Sequence, residues 1–182
     1  MTVLNIIKMG PATLRQPARP YPPEKIGTGD FSQLIQDMRE TMEAAGGIGL
    51  AAPQVDIPYQ IAVIELPETG TRYGDTPAQP FDVYVNPQIT VLADEVAGYW
   101  EGCLSVPGMM GFVERPQHIR VDYLDEQGDR RSLEAKGFLA TVFQHEVDHL
   151  LGKLYVDRLK DTRLFMFEEE FRQFQDGEPE LE

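Results

Sequence analysis

The fold is decided by the stretch Gln144-His145-Glu146-Val147-Asp148-His149, in which two histidines stand four positions apart. Side chains at that spacing lie on one face of a helix, one turn above the other. Both imidazoles can therefore reach one metal ion, and the glutamate beside the first can address a water molecule there. The alternative is a pair of surface histidines. Because His145 continues the apolar stripe of Phe138 and Val142, we expect it to point inward and to bind a metal.

A catalytic site of the zinc type needs a third protein ligand and one open position. The single cysteine, Cys103, lies in Glu101-Gly102-Cys103-Leu104-Ser105. A lone cysteine is usually a small buried hydrophobe. Here the preceding glycine lets the backbone approach closely, and the glutamate at 101 is hard to place in a plain core strand, so Cys103 is the preferred third ligand. The acidic run at 168–170 is the alternative, and it is more typical of a solvated face.

Composition limits the class of protein. A chain of 182 residues predicts one domain, and 42% hydrophobic with 25% charged residues is typical of a globular protein. The formal net charge of −14 repels a phosphate backbone, which disfavours direct DNA binding. No apolar run approaches the roughly 18 residues needed to cross a bilayer. One cysteine excludes an intramolecular disulfide and favours a reducing compartment, so we expect a cytoplasmic protein.

Hydrophobic periodicity predicts helices towards both ends of the chain and strands in the middle. The predicted helices are Phe31–Ala45 with Asp30 as N-cap, a run to Leu151 that follows Gly137, and an amphipathic helix from Asp161 to Phe174. The predicted strands are Ile61–Leu66, Val83–Val85, Ile89–Leu92 and 119–123, with an exposed loop over Pro67–Pro80. This order favours an α+β fold, with mixed or antiparallel strands around a central metal-binding helix. We expect a single domain over residues 1–182, with an acidic C-terminal helix and tail from about 161.

Three segments together resemble the signature motifs of the peptide deformylase family. In chain order they are Gly47-Ile48-Gly49-Leu50-Ala51-Ala52-Pro53-Gln54, Glu101-Gly102-Cys103-Leu104-Ser105 and Gln144-His145-Glu146-Val147-Asp148-His149-Leu150. The resemblance implies an α+β metal-dependent hydrolase that removes the formyl group from the N-terminal formylmethionine of new polypeptides. Two alternatives stay open, a metalloendopeptidase with the same helix and a non-catalytic metal-binding module. A mere binder would not need Glu146 or Gln54, which disfavours the module.

The resemblance also implies roles for individual residues. The implied metal ligands are Cys103, His145 and His149. Glu146 matches the catalytic glutamate, Gln54 the glutamine that binds the oxyanion, and Leu104 the residue that contributes its backbone N–H. The implied substrate-binding residues are Ile48, Gly49, Tyr99, Phe138 and Val142. Each of these is individually typical of a generic core, and Gly47 and Gly49 are also compatible with a simple helix end and turn. Glu101 and Arg115 match a charge pair of the family, although a surface ion pair is an equal alternative.

The resemblance further implies a cofactor and partners. The cofactor is one divalent metal, with Fe(II) expected physiologically, and zinc, nickel or cobalt can replace it in a purified sample. The expected partners are N-formylmethionyl peptides of nascent chains. Some family members dock on the ribosome through a basic extension, but here the tail from Glu168 to Glu182 is acidic with Arg172 as its single base. This tail is compatible with transient ribosome proximity and argues against stable docking.

Overall fold

Two antiparallel sheets and a central helix form the protein, whose computed structural model describes residues 2–67 and 78–176. The helices and strands are α1 (Gly29–Ala44), β1 (Gly49–Ala51), β2 (Ile61–Leu66), β3 (Gln79–Val91), β4 (Val96–Cys103), β5 (Val106–Pro116), β6 (His118–Leu124), β7 (Arg130–Lys136), α2 (Gly137–Leu150), β8 (Phe165–Phe167) and α3 (Glu168–Asp176). The five-stranded sheet has the order β1-β2-β3-β6-β7, and the three-stranded sheet has the order β4-β5-β8. This arrangement confirms the predicted α+β fold in one domain with a C-terminal helix.

The central helix α2 packs against strands of both sheets. Its apolar side chains Phe138, Val142 and Phe143 join a core cluster with residues of β3, β6 and β7, such as Tyr84. The helix stops at Leu150 because Gly152 takes a positive φ of 71°, which few other residues adopt. A Cβ at that glycine would also lie 2.7 Å from backbone atoms of the amino-terminal segment. The end of the histidine-bearing helix is thus fixed by a residue just beyond it.

Helix α1 differs from the prediction in its cap. Its N-cap is Thr28 and not Asp30, because the Thr28 hydroxyl accepts a hydrogen bond from the Phe31 N–H. Asp30 lies two residues further on, in the first turn, where its negative charge still suits the helix dipole. The predicted span was otherwise close to the observed one.

The predicted strands Val83–Val85 and Ile89–Leu92 form one strand, β3, whose register shifts between Val85 and Gln88. Asn86 takes a left-handed φ of 52° at this irregularity, which explains why the alternating pattern is broken there. Strand β2 was predicted with its observed bounds. Most of the predicted Pro67–Pro80 loop lies outside the described residues, and its last two residues belong to β3.

The predicted helix over Asp161–Phe174 is wrong in its first half. A short 3-10 turn, Thr162–Leu164, is followed by strand β8, and only then does α3 begin at Glu168. Strand β8 pairs with β5, for example Met166 with Met110, so an available sheet edge overrides the local helical pattern. None of the helices in residues 2–67 and 78–176 has the length and apolar character that crossing a bilayer requires.

Candidate active site

Three side chains of ligand type converge from two elements. Cys103 ends β4, and His145 and His149 lie one turn apart on α2. Their ligand atoms all lie within 4.8 Å of one another, and Cys103 Sγ is 3.3 Å from His149 Nε2. Bonds of about 2.0–2.3 Å to one tetrahedral ion separate such atoms by roughly 3.5 Å. The donor set of one thiolate and two imidazoles therefore fits a transition-metal ion, as the sequence predicted.

A buried charge network orients His145. Its Nδ1 lies 2.7 Å from Glu101 Oε2, so its other ring nitrogen, Nε2, is the one left for a metal. Arg115 donates to both oxygens of Glu101, at 2.6 and 2.9 Å, and to Asp148 Oδ2 at 2.8 Å. Glu101, Arg115 and Asp148 are all buried. Of the two interpretations of the Glu101–Arg115 pair, the structure supports a pair that braces the site and excludes a surface pair.

The network sets the charges around the ligands. Burial by itself would raise the pKa of Glu101, but the hydrogen bonds from His145 and Arg115 outweigh it and hold that pKa below its usual value. Burial also opposes ionisation of the Cys103 thiol, yet the electrostatic interaction with His149 and the hydrogen bonds with His145 and His149 hold its pKa well below the ordinary value. These shifts favour the carboxylate form of Glu101 and the thiolate form of Cys103, and the thiolate is the form that binds metals.

The side-chain amide of Gln54 is aimed at the ligand group. The Ala51 N–H donates to Gln54 Oε1 at 2.8 Å, which fixes the orientation of the amide. Its Nε2 then points to Cys103 Sγ at 3.6 Å and to Ser105 Oγ at 3.3 Å. Leu104 lies in the turn between β4 and β5, next to Cys103, and lines the same cavity. Gln54 and Leu104 thus both line the cavity next to Cys103, and their roles in binding the oxyanion stay predictions.

Glu146 is buried beside the ligands with a free oxygen. It is 5% exposed, and its Oε2 has no hydrogen-bond partner among the described residues. Burial raises its pKa. The carboxylate occupies the space that a side chain at Gly49 would need, because a Cβ there would lie 2.3 Å from Glu146 Oε1. An unpartnered carboxylate beside the ligands can accept a proton from a molecule in the cavity.

The ligand group opens into a cavity of about 670 Å³. Four of the five predicted substrate-binding residues line it, namely Ile48, Gly49, Phe138 and Val142. The fifth, Tyr99, is not part of the cavity wall, because its ring packs against Phe138 at a centroid distance of 5.4 Å. The roles of these residues in binding stay predictions.

Sequence reasoning missed several residues of the site. Ser105 contacts the Gln54 amide, and Asp148 joins Arg115 to Arg158. Thr141, on α2, lines the cavity. Asp148 lies inside the histidine motif, but its partners Arg115 and Arg158 lie outside it, so the motif does not predict these ion pairs. For Thr141, its position one turn before His145 was the available signal.

An α+β fold in which two histidines and a cysteine converge, with His145, Cys103 and the glutamate Glu146 lining an open cavity, defines a metal-dependent hydrolase. The chain belongs to the polypeptide deformylase family, because the family model described as polypeptide deformylase matches residues 3–164. The family activity is metal-dependent removal of the formyl group from formylated peptides.

Similar proteins agree with this assignment. The chain is 46% identical to a peptide deformylase of Leptospira biflexa over 170 residues, which is 93% of this chain and 95% of that protein. It is 45% identical to peptide deformylase 2 of Pseudomonas putida, over 92% and 93% of the two chains. The Met-Ala-Ser-bound crystal structure of class I type b peptide deformylase from Acinetobacter baumannii is similar with a TM-score of 0.83 and 38% identity, over 87% and 99% of the chains. The actinonin complex of a peptide deformylase from Synechococcus elongatus has a TM-score of 0.78 and 39% identity, over 97% and 86%.

Proposed function

We propose that this chain removes the formyl group from the N-terminal formylmethionine of new polypeptides and releases formate. The ligands of its metal are Cys103, His145 and His149. The observation that carries this proposal is the buried, unpartnered Glu146 carboxylate beside three converging ligand atoms. These groups lie at a cavity whose wall includes apolar side chains suited to methionine.

The proposed chemistry depends on Glu146 as general base and then general acid. When bound, the metal supplies Lewis acidity, which lowers the pKa of water and polarises a carbonyl group. The Glu146 carboxylate accepts a proton from the attacking water and later passes that proton to the departing amine nitrogen. Its raised pKa suits both transfers, because the pKa lies closer to neutral pH than that of an exposed glutamate.

Two donors stabilise the negative charge that develops on the formyl oxygen. They are the Gln54 side-chain amide, held in place by the Ala51 N–H, and the backbone N–H of Leu104. One donor of this kind is typically worth about 3–4 kcal/mol of transition-state stabilisation. Both residues line the cavity, which supports the assignment.

The peptide backbone binds along β1. This strand ends the order of its sheet, with β2 on one side and no paired strand on the other among the described residues. An extended peptide can therefore add to this edge by main-chain hydrogen bonds next to Ile48 and Gly49. The methionine side chain then enters the apolar part of the cavity at Phe138 and Val142.

Two substitutions test the proposal on formyl-Met-Ala-Ser, with formate release and metal content measured on the same sample. Glu146→Ala keeps the metal and loses a factor of about 10²–10⁴ in kcat, the usual size of a general acid–base contribution. Cys103→Ala loses the metal. Glu126→Ala, in the exposed turn after β6, is the matched control and keeps both. Near-normal turnover in Glu146→Ala contradicts the mechanism, and cleavage of an internally quenched blocked peptide without formate release favours an endopeptidase.

We propose Fe(II) as the physiological metal. The sulfur and two nitrogens also suit zinc, nickel or cobalt, so the donor set allows all of them. Activity should fall during aerobic purification, as iron oxidises or the Cys103 thiolate is oxidised, and anaerobic ferrous reconstitution should restore it. Full activity with stoichiometric zinc, unchanged by ferrous reconstitution, contradicts this choice.

We also propose that the enzyme meets nascent chains in the cytoplasm without stable docking on the ribosome. The first turn of α3 carries three glutamates, and Arg172 pairs with one of them, Glu168. Such a surface repels ribosomal RNA. Co-sedimentation with ribosomes should be weak at low salt, and retention that falls steeply as salt rises would contradict the proposal.

A further inference from the structure

Thr141 is a polar side chain in the apolar part of the cavity wall. It is 1% exposed and lines the cavity together with Phe138 and Val142. Its hydroxyl, Oγ1, has no hydrogen-bond partner among the described residues. A threonine in a helix ordinarily satisfies its hydroxyl at the carbonyl four residues back, which here is Gly137, but Thr141 makes no such bond. A buried donor is therefore left over at a binding cavity, and leaving it unpaired costs free energy.

The position of Thr141 matches the reach of the substrate side chain. Thr141 precedes His145 by four residues on α2, a rise of about 6 Å along the helix. In an extended N-formylmethionine the sulfur lies roughly 6 Å from the formyl carbon, from ordinary bond lengths. If the formyl group lies at the His145 level, the sulfur comes to the level of Thr141. That sulfur is the one hydrogen-bond acceptor in the methionine side chain, although a weak one.

We propose that the Thr141 hydroxyl donates a hydrogen bond to the thioether sulfur of the substrate methionine and so selects methionine over an isosteric hydrocarbon side chain. The inference rests on the proposed function and deepens it. An apolar pocket alone discriminates between substrate side chains by size and shape. A buried hydrogen-bond donor also favours side chains that carry a hydrogen-bond acceptor over those that carry none. The adjacent Phe138 ring adds a sulfur–aromatic contact, which does not replace the hydroxyl as a donor.

The test compares formyl-Met-Ala-Ser with formyl-norleucyl-Ala-Ser, in which a methylene group replaces the sulfur. Wild-type enzyme should prefer the methionine peptide by about fivefold in kcat/KM, the size expected of one modest hydrogen bond. Thr141→Val, which keeps the shape and removes the hydroxyl, should lower the preference to about one. Thr141→Ser keeps the hydroxyl and should keep the preference. Metal content is measured in all three proteins and should be equal.

Two readouts do not depend on turnover. Calorimetric binding of the product peptides Met-Ala-Ser and norleucyl-Ala-Ser should show the same preference and its loss in Thr141→Val. The free Thr141→Val protein should also melt about 2–4 °C higher, because an unpaired buried hydroxyl is replaced by a methyl group. A lower Tm would mean that the hydroxyl has an internal partner, and this would overturn the inference.

The outcomes separate the inference from the function on which it rests. If metal-loaded wild-type enzyme releases formate and Thr141→Val keeps the wild-type preference, the inference is overturned and the proposed function stands. If the wild-type enzyme releases formate from neither peptide, the proposed function fails and the inference fails with it.

Discussion

Replacing Gly49 by alanine tests the packing around Glu146. Gly49 has an ordinary negative φ, so its backbone tolerates alanine, and only the added Cβ matters. That Cβ would lie 2.3 Å from Glu146 Oε1, 2.7 Å from Cδ and 3.0 Å from Cγ. Ordinary contacts begin near 3.4 Å, so the carboxylate must retreat by about 1 Å. The substitution therefore acts first on the proposed base, since the three nearest atoms are all its own and none belongs to a metal ligand.

The expected loss follows from that displacement. A misplacement of about 1 Å can cost roughly 10²-fold in rate, and general acid–base catalysis contributes about 10²–10⁴-fold. Gly49→Ala should thus lower kcat on formyl-Met-Ala-Ser by about 10²-fold, near 2.7 kcal/mol of barrier. Metal content should not change, because the three atoms nearest to the added Cβ all belong to Glu146 and none belongs to a metal ligand.

Two other glycines give graded controls. In Gly47→Ala the Cβ meets Leu104 Cδ1 at 2.9 Å, the tip of a flexible side chain, so we expect a smaller loss. At Gly29, the first residue of α1, a Cβ meets no atom of residues 2–67 and 78–176 within 4 Å, so Gly29→Ala should keep wild-type kcat. Steady-state formate release with metal analysis measures all three variants. Wild-type kcat in Gly49→Ala, or an equal loss in Gly47→Ala, would refute the argument.

Arg115→Met should destabilise the fold by about 3–5 kcal/mol, because it leaves Glu101 and Asp148 buried without the cation that they share. Urea unfolding measures this loss of stability. A loss below about 1 kcal/mol, the usual value of a surface ion pair, would contradict the prediction. The Asp125 carboxylate accepts from two backbone N–H groups and from Arg131, and these bonds outweigh burial and lower its pKa. Its contribution to stability is therefore present above its unfolded pKa of about 4 and is lost as the pH falls through its lowered folded pKa. The difference in urea midpoint between wild type and Asp125→Asn should shrink from pH 6 to pH 3, and a constant difference would exclude this role. Chelation should abolish formate release, and added Fe(II) should restore it; activity that survives complete metal removal would contradict metal dependence.

Helix α2 and its ligand pair were predictable because both depend on local geometry. A spacing of four places two side chains on one helix face in any context, and the apolar stripe tells which face is buried. Strands β4 and β5 were not predicted, since glycines at 98, 102, 108 and 111 interrupt their pattern. These strands form through pairing with each other, and such pairing is invisible in either segment alone. Cys103, which ends β4, could be assigned from its residue type but not placed in space.

The buried charge network explains how three ligands from two elements keep one geometry. Glu101 and Cys103 are two positions apart on β4, so both lie on one face of the strand, and Glu101 bonds His145 on α2. Arg115 on β5 holds Glu101 and Asp148 together, and Asp148 belongs to the same helix as His145. A buried ion pair contributes little net stability compared with apolar packing. The network here fixes positions instead. Strand β4 carries the thiolate and helix α2 carries the imidazoles, and neither can shift alone without breaking a bond to the Arg115 guanidinium group.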